Sequence, residues 1–400
     1  MLEFLVIGYI LYFLCSVYVS LNQISYVPKF LDKKPIFLSK ENYKKAGNYS
    51  IEKEKVSLIS HIYSFLIFCF WILFGIRFLQ NHLQIEQTWL KTLVLLDLFI
   101  IVSWILSLPL SLYSSFGLDK KFGFSKVTIK LFIKDTLKTA ILFFVLGNIV
   151  IYGLFLIITY LPIWWIYSFI FVFAIIILTN MLYPLIREKM FDKFVPLEDK
   201  ALDEKITNLL TSVGFKSKGV FSVDASKRDS RLNAYFGGLG KTKRVVLFDT
   251  LIEKLSTNEL LAVLGHELGH FKNKDILKNI GVMAVMLFCF FAIFGNLPQS
   301  LFSSLNLENS PASLVILFLI FTPFLSFFLM PIISLISRKN EYNADKFGAN
   351  LTSKEDLKSA LLKLINENKS FPFSCKAFVF FYYSHPPLIA RLERLGYKEK

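Results

Sequence analysis

Residues 314–336, LVILFLIFTPFLSFFLMPIISLI, lead straight into residues 337–349, SRKNEYNADKFGA. The first part is apolar over more than the ~20 residues a helix needs to cross a bilayer. The second is polar and carries Glu341 and Asp345 four residues apart. At 3.6 residues per turn that spacing puts both carboxylates on one helix face, just beyond the end of a membrane span. Taken alone, the pair also describes a solvated helix face beside a membrane. What stands opposite them decides between the two.

The same hydropathy recurs along the chain. Of its 400 residues 54% are hydrophobic and 43 are Phe, and the mean hydropathy is +0.53. Those values exclude an ordinary soluble globular protein. Seven stretches reach spanning length: Leu2 to Leu21, Leu58 to Leu79, Leu93 to Tyr113, Thr139 to Leu161, Trp164 to Ile186, Ile280 to Leu297 and Leu314 to Ile336. The first reads as a retained span, because Glu3 stands where a signal peptide carries basic residues and no small-residue cleavage site follows.

The net charge of +15 does not point to nucleic acid, because its distribution follows the spans. Lysines crowd the loops after the first and third spans, and the segment after the fifth and the C-terminal tail are basic. The links after the fourth and sixth carry no Lys or Arg. With seven spans every basic segment falls on one side, which the positive-inside rule makes cytoplasmic. The expected topology has the N-terminus outside and the C-terminus inside. The four cysteines form no CxxC pair and read as apolar packing residues.

Four zones follow. Residues 1–187 form a five-span region, 188–278 a cytoplasmic segment, 279–336 a two-span hairpin and 337–400 a C-terminal segment. The expected fold class is mainly α, a polytopic membrane protein with a small β-sheet in its cytoplasmic segment. There, Ala201 to Gly214 has the apolar periodicity of an amphipathic helix. Gly219–Val223, Leu232–Phe236 and Arg244–Phe248 read as strands, the last two joined by the turn GGLGKTK. Ser256-Thr257-Asn258-Glu259 is a capping box opening a second helix.

That second helix contains residues 260–275, LLAVLGHELGHFKNKD. His266 and His270 project from one face, about 40° apart around the axis, and Glu267 lies within ~100° on the same side. The spacing suits two neutral imidazoles on one Zn²⁺, with the carboxylate beside the open position rather than bound. A third ligand must come from elsewhere. The sixth span begins about ten residues after His270, so the metal sits within ~15 Å of that span's end. The seventh span returns antiparallel and delivers Glu341 to the same place. Glu341 is therefore the expected third ligand. Asp345, one turn on, is placed to hold a ligating imidazole by its other N–H.

These segments resemble the type I CAAX prenyl protease family, integral-membrane zinc metalloproteases. The matching stretches are KKFGFSKVTIKLFIKDTLK (120–138), FDKFVPLED (191–199), NAYFGGLGKTKRVVLFDTLIEKL (233–255), VLGHELGHFKNKD (263–275), SRKNEYNADKFGA (337–349) and YSHPPLIARLERL (383–395). The resemblance implies seven helices enclosing a water-filled chamber, zinc held by His266, His270 and Glu341, and Glu267 activating the water. It implies that the strand around Asn233, Ala234 and Tyr235 pairs with an extended substrate backbone. It also implies that His385 hydrogen-bonds substrate or transition state and that Arg391 orders the site. By themselves, His385 before Pro386-Pro387 and Asn233 would read as turn residues. Asp97, Asn148 and Asn180 fall inside spans and read as chamber-lining groups or interhelical hydrogen bonds, Asp97 the better fit to the chamber.

The expected activity is peptide hydrolysis at the membrane, by a monomer carrying one Zn²⁺, on prenylated CAAX or other membrane-associated peptides. Competing readings are a quality-control zinc protease acting on unlipidated membrane proteins and an inactive membrane scaffold. The Phe-, Ile- and Lys-rich composition suits a bacterial plasma membrane.

Overall fold

A computed structural model describes residues 2–237 and 243–397. Seven helices are long and apolar enough to span a membrane, and each matches one of the seven expected stretches, two of which overrun their helix, by Leu161 and by Asn296 and Leu297. They are α1 (Leu2–Leu31), α2 (Lys40–His82), α3 (Thr88–Lys121), α4 (Ile129–Tyr160) and α5 (Trp164–Met190), then α9 (Asp275–Gly295) and α11 (Pro311–Leu351). Helices are what such sequences form in lipid, because no water is present to satisfy a backbone group left unpaired. Side chains cap several ends: Ser39 accepts from the Asn42 amide, Thr128 from Leu131 and Ser310 from Ser313.

Two helices extend well past the hydrocarbon. α2 has 43 residues and α11 has 41. The apolar stretch from 314 and the acidic motif at 341–345 are thus one continuous helix, so the position of Glu341 is fixed rigidly by the span before it.

Between α5 and α9 lies a mixed helix-and-strand segment. It contains β1 (Phe194–Pro196), α6 (Lys200–Ser212), β2 (Val220–Val223), β3 (Ala234–Gly237), β4 (Arg244–Phe248), α7 (Asp249–Lys254) and α8 (Thr257–Lys272). The sheet order is β1-β2-β4-β3, with β2 parallel to β4 and the other pairs antiparallel. Sequence reading misses β1, whose three residues are too few to show a period. It starts β3 two residues early. The expected turn between β3 and β4 falls on 238–242, outside the described residues. Beyond α11 come α12 (Lys354–Glu367), α13 (Lys376–Tyr382) and α14 (Leu388–Arg394), with α10 (Gln299–Leu305) between the last two spans.

α1 and α2 contribute Val27, Tyr43 and Ala46 to a core shared with α12, and the membrane helices pack around a further core at the other end. Leu5, Trp71, Leu95, Phe294, Phe302 and Phe321 belong to that cluster, at the end away from the sheet. In α4, α5 and α9 the residues buried toward the sheet side are confined to Pro184 and Asp275. Few side chains of these three helices are buried on that side, so their packing there is sparse. Asn148 donates to Asp97 at 3.1 and 3.2 Å, joining α4 to α3. Asn180 donates to its own helix, at the Ile176 carbonyl.

Arginines on the β2–β3 connection lock the sheet to the membrane part. Arg228 meets Asp135 and Asp192, each at 2.9 Å. Arg231 meets Asp119 and the Tyr49 hydroxyl, each at 2.8 Å. The backbone joins in: the Lys126 amide donates to the Arg228 carbonyl at 3.0 Å, and Ser125 bridges Asp229.

Candidate metal centre

The site is built where α8 crosses α11. The capping box forms as its sequence demands: the Ser256 hydroxyl accepts from the Glu259 amide, and the Glu259 carboxylate accepts from the Ser256 amide. Glu259 also takes Ser359 at 2.6 Å and Lys363 at 2.7 Å, pinning α8 to α12.

Small residues let the two helices touch backbone to backbone. A Cβ added at Gly269 would lie 2.7 Å from the Ala344 Cα, and one added at Gly348 would lie 2.6 Å from the His266 amide nitrogen. Gly265 and Gly269 on α8 face Ala344 and Gly348 on α11, both pairs four apart, which is the small-residue spacing of close helix contacts. This seam is what carries Glu341 to the histidines. Gly348→Ala is expected to push α11 off His266 and to cost about 1–3 kcal/mol by overpacking. A fall in the thermal midpoint of the purified protein checks it, and an unchanged midpoint would refute the tight crossing.

At the crossing, His266, His270 and Glu341 offer ligand atoms all within 4.8 Å of one another. His266 Nε2 is 3.5 Å from Glu341 Oε2, and His270 Nε2 is 3.2 Å from Oε1. Tetrahedral ligands ~2.0–2.1 Å from one Zn²⁺ stand ~3.3 Å apart, so the donor set fits a single ion of that size. Glu341 is 3% exposed, and its buried Oε2 has no well-aligned hydrogen bond, although His385 Nδ1 lies 2.9 Å away. A bound cation would satisfy that oxygen.

Both imidazoles are turned so that Nε2 faces Glu341, and a carboxylate holds each Nδ1. For His266 it is Asp345, at 2.8 Å, as the sequence implies. For His270 it is Asp275, at 3.0 Å, which sequence reading misses. The chain between them breaks helix: Lys274 adopts φ 56°, ending α8 and starting α9 so that Asp275 faces back. An acid at the first residue of a helix, five after the second histidine, is the signal that could have found it. Burial disfavours a charged His270, but hydrogen bonds to Glu341 and Asp275 outweigh it and raise its pKa to about 9. A metal arriving here displaces a proton.

Arg391, 8% exposed, clamps Asp345 with two bonds of 2.8 and 2.6 Å and lies 3.5 Å from Glu341. The fork geometry fixes the carboxylate that fixes His266. His385 arrives from the loop before α14, its Nδ1 2.9 Å from Glu341 Oε2 and its side chain 65% exposed.

Glu267, His270 and Glu341 line a cavity of about 290 Å³ with Tyr235, Phe236 and Gly237 of β3. Among the described residues β3 pairs with β4 alone, so its other edge is free. Tyr235 thus reaches the site. Asn233 and Ala234 stand earlier along the same edge, outside the cavity lining, with the Asn233 carbonyl accepting from the Phe248 amide.

Comparison with known proteins agrees with this architecture. Residues 18–193 match the family model described as CAAX prenyl protease N-terminal, five membrane helices, and residues 196–399 match that of peptidase family M48. The chain is 34% identical to CAAX prenyl protease 1 of Saccharomyces cerevisiae, over 89% of this chain and 86% of that one. It is 32% identical to the Homo sapiens homologue, over 90% and 86%. The crystal structure of S. mikatae Ste24p superposes with a TM-score of 0.90 at 32% identity, covering 98% of both chains. The chain belongs to peptidase family M48, with the CAAX prenyl protease N-terminal region, and is a multi-pass membrane metallopeptidase.

Proposed function

We propose that the chain is a zinc endopeptidase that cleaves prenylated CAAX or other membrane-associated peptides. The observation that carries this reading is the Glu341 carboxylate set 3.5 and 3.2 Å from two imidazole Nε2 atoms. His266, His270 and Glu341 would hold the ion, which when bound would polarise a scissile carbonyl and bring the pKa of its water towards ~7.

The remaining steps belong to side chains. Glu267 takes a proton from the attacking water and passes it to the leaving amine. His385 donates to the developing oxyanion. Asp345 with Arg391, and Asp275, keep the two imidazoles aimed. The free edge of β3, at Asn233, Ala234 and Tyr235, binds the peptide backbone in extended form. The hollow of the bundle accommodates an apolar segment or a lipid chain.

The lysine-rich loops support a topology with the N-terminus outside and the metal site at the cytoplasmic face. The composition supports a bacterial plasma membrane. All three ligands come from one chain, which supports a monomer.

The test compares a farnesylated CAAX peptide with the same peptide unmodified, using purified protein loaded with Zn²⁺. Chelator-sensitive hydrolysis of the farnesylated peptide, faster than of the unmodified one, is expected. Equal rates would move the substrate class to unlipidated peptides, and no cleavage of either would sink the proposal.

A further inference from the structure

A second and larger cavity, of about 1,000 Å³, lies away from the metal, between the end of α3 and the start of α4. It is at the top of the ~300–1,000 Å³ range usual for ligand pockets. Its walls are apolar, with Leu112 and Phe116 on α3 facing Ile129, Ile133 and Leu137 on α4. Ile129 is 69%, Ile133 52% and Leu137 57% exposed, so the cavity is an open groove rather than part of the core. One wall is a π-helical turn, Tyr113–Leu118, the kind of irregularity that gathers at functional sites.

The rim is chemically different. Lys120 and Lys126 stand there exposed, and neither has a carboxylate partner among the described residues. Between them is Ser125, whose hydroxyl oxygen is buried with no hydrogen-bond partner. The rim is at the metal-site end of both helices, on the side where the lysine-rich loops lie. Basic pockets between spans on the lysine-rich side take anionic headgroups.

We propose that this groove binds one anionic phospholipid, its acyl chains on the Leu112 and Ile133 walls and its phosphate between Lys120 and Lys126. The rim also touches the site's own scaffold, since Ser125 and Lys126 are the residues bonded to Asp229 and Arg228. That connection runs directly into β3, so a lipid here braces the strand at the catalytic cavity.

The experiment is native mass spectrometry of the delipidated full chain, titrated with phosphatidylglycerol and with phosphatidylcholine. Phosphatidylglycerol should be retained about 30-fold more tightly, the factor two lysines supply at ~1 kcal/mol each. Lys120→Glu with Lys126→Glu should erase that preference. Ile133→Trp, which fills the groove, should release both lipids. Lys44→Glu with Lys45→Glu, the same charge change elsewhere on that side, should leave the preference intact. A preference that survives the rim variant, or falls equally in the control pair, overturns the site. So does displacement of the lipid by a farnesylated peptide, which would assign the groove to substrate.

Discussion

Glu267→Gln is expected to lower peptide hydrolysis by about 10²–10⁴-fold, the usual contribution of a positioned general base. Gln keeps the length and shape of Glu but cannot take a proton. Glu267 lines the cavity beside His270 and Glu341 without being part of the triad of ligand atoms. Metal content, measured by elemental analysis, should therefore stay at one ion per chain, and the thermal midpoint should not fall. The combination is the point: activity lost with metal retained is what a base predicts and a ligand does not. Full turnover in this variant would remove Glu267 from the mechanism.

Glu341→Ala is expected to act on binding of the ion itself. It leaves two imidazoles, and Zn²⁺ affinity should fall by about 10²–10⁴-fold, one ligand's third of the ~10–16 kcal/mol a protein zinc site delivers. The change also strips His385 and Arg391 of the carboxylate they approach at 2.9 and 3.5 Å. Competition with a chromogenic chelator measures the loss. Asp275→Asn belongs on the same titration, with a smaller drop of 10–100-fold expected for a partner that only aims His270. Native affinity in Glu341→Ala would mean that the third ligand lies elsewhere.

Much of this was legible before any coordinates, and for physical reasons. Bilayer thickness turns hydropathy into helix number, which is why all seven spans were found. HELGH carries its geometry in its own period. Glu341 follows because an antiparallel hairpin must return its second end to the level of its first. What could not be read is of another kind. Asp275 depends on the left-handed turn at Lys274, a single dihedral with no periodic signal. The close crossing depends on Gly265, Gly269, Ala344 and Gly348 facing one another across two distant helices, and small residues inside a helix announce nothing until their partners are known. β1 is three residues long and leans on β2 for its existence.

The core that gathers Leu5, Trp71, Phe302 and Phe321 at the end away from the sheet has a bearing on the cell as well as on the fold. A vessel open through the membrane would short-circuit the ion gradients across it. Tightly packed aromatic and aliphatic groups on the face opposite the metal would cork the hollow proposed above, so that a guest would enter and its fragments leave on one side or sideways through lipid.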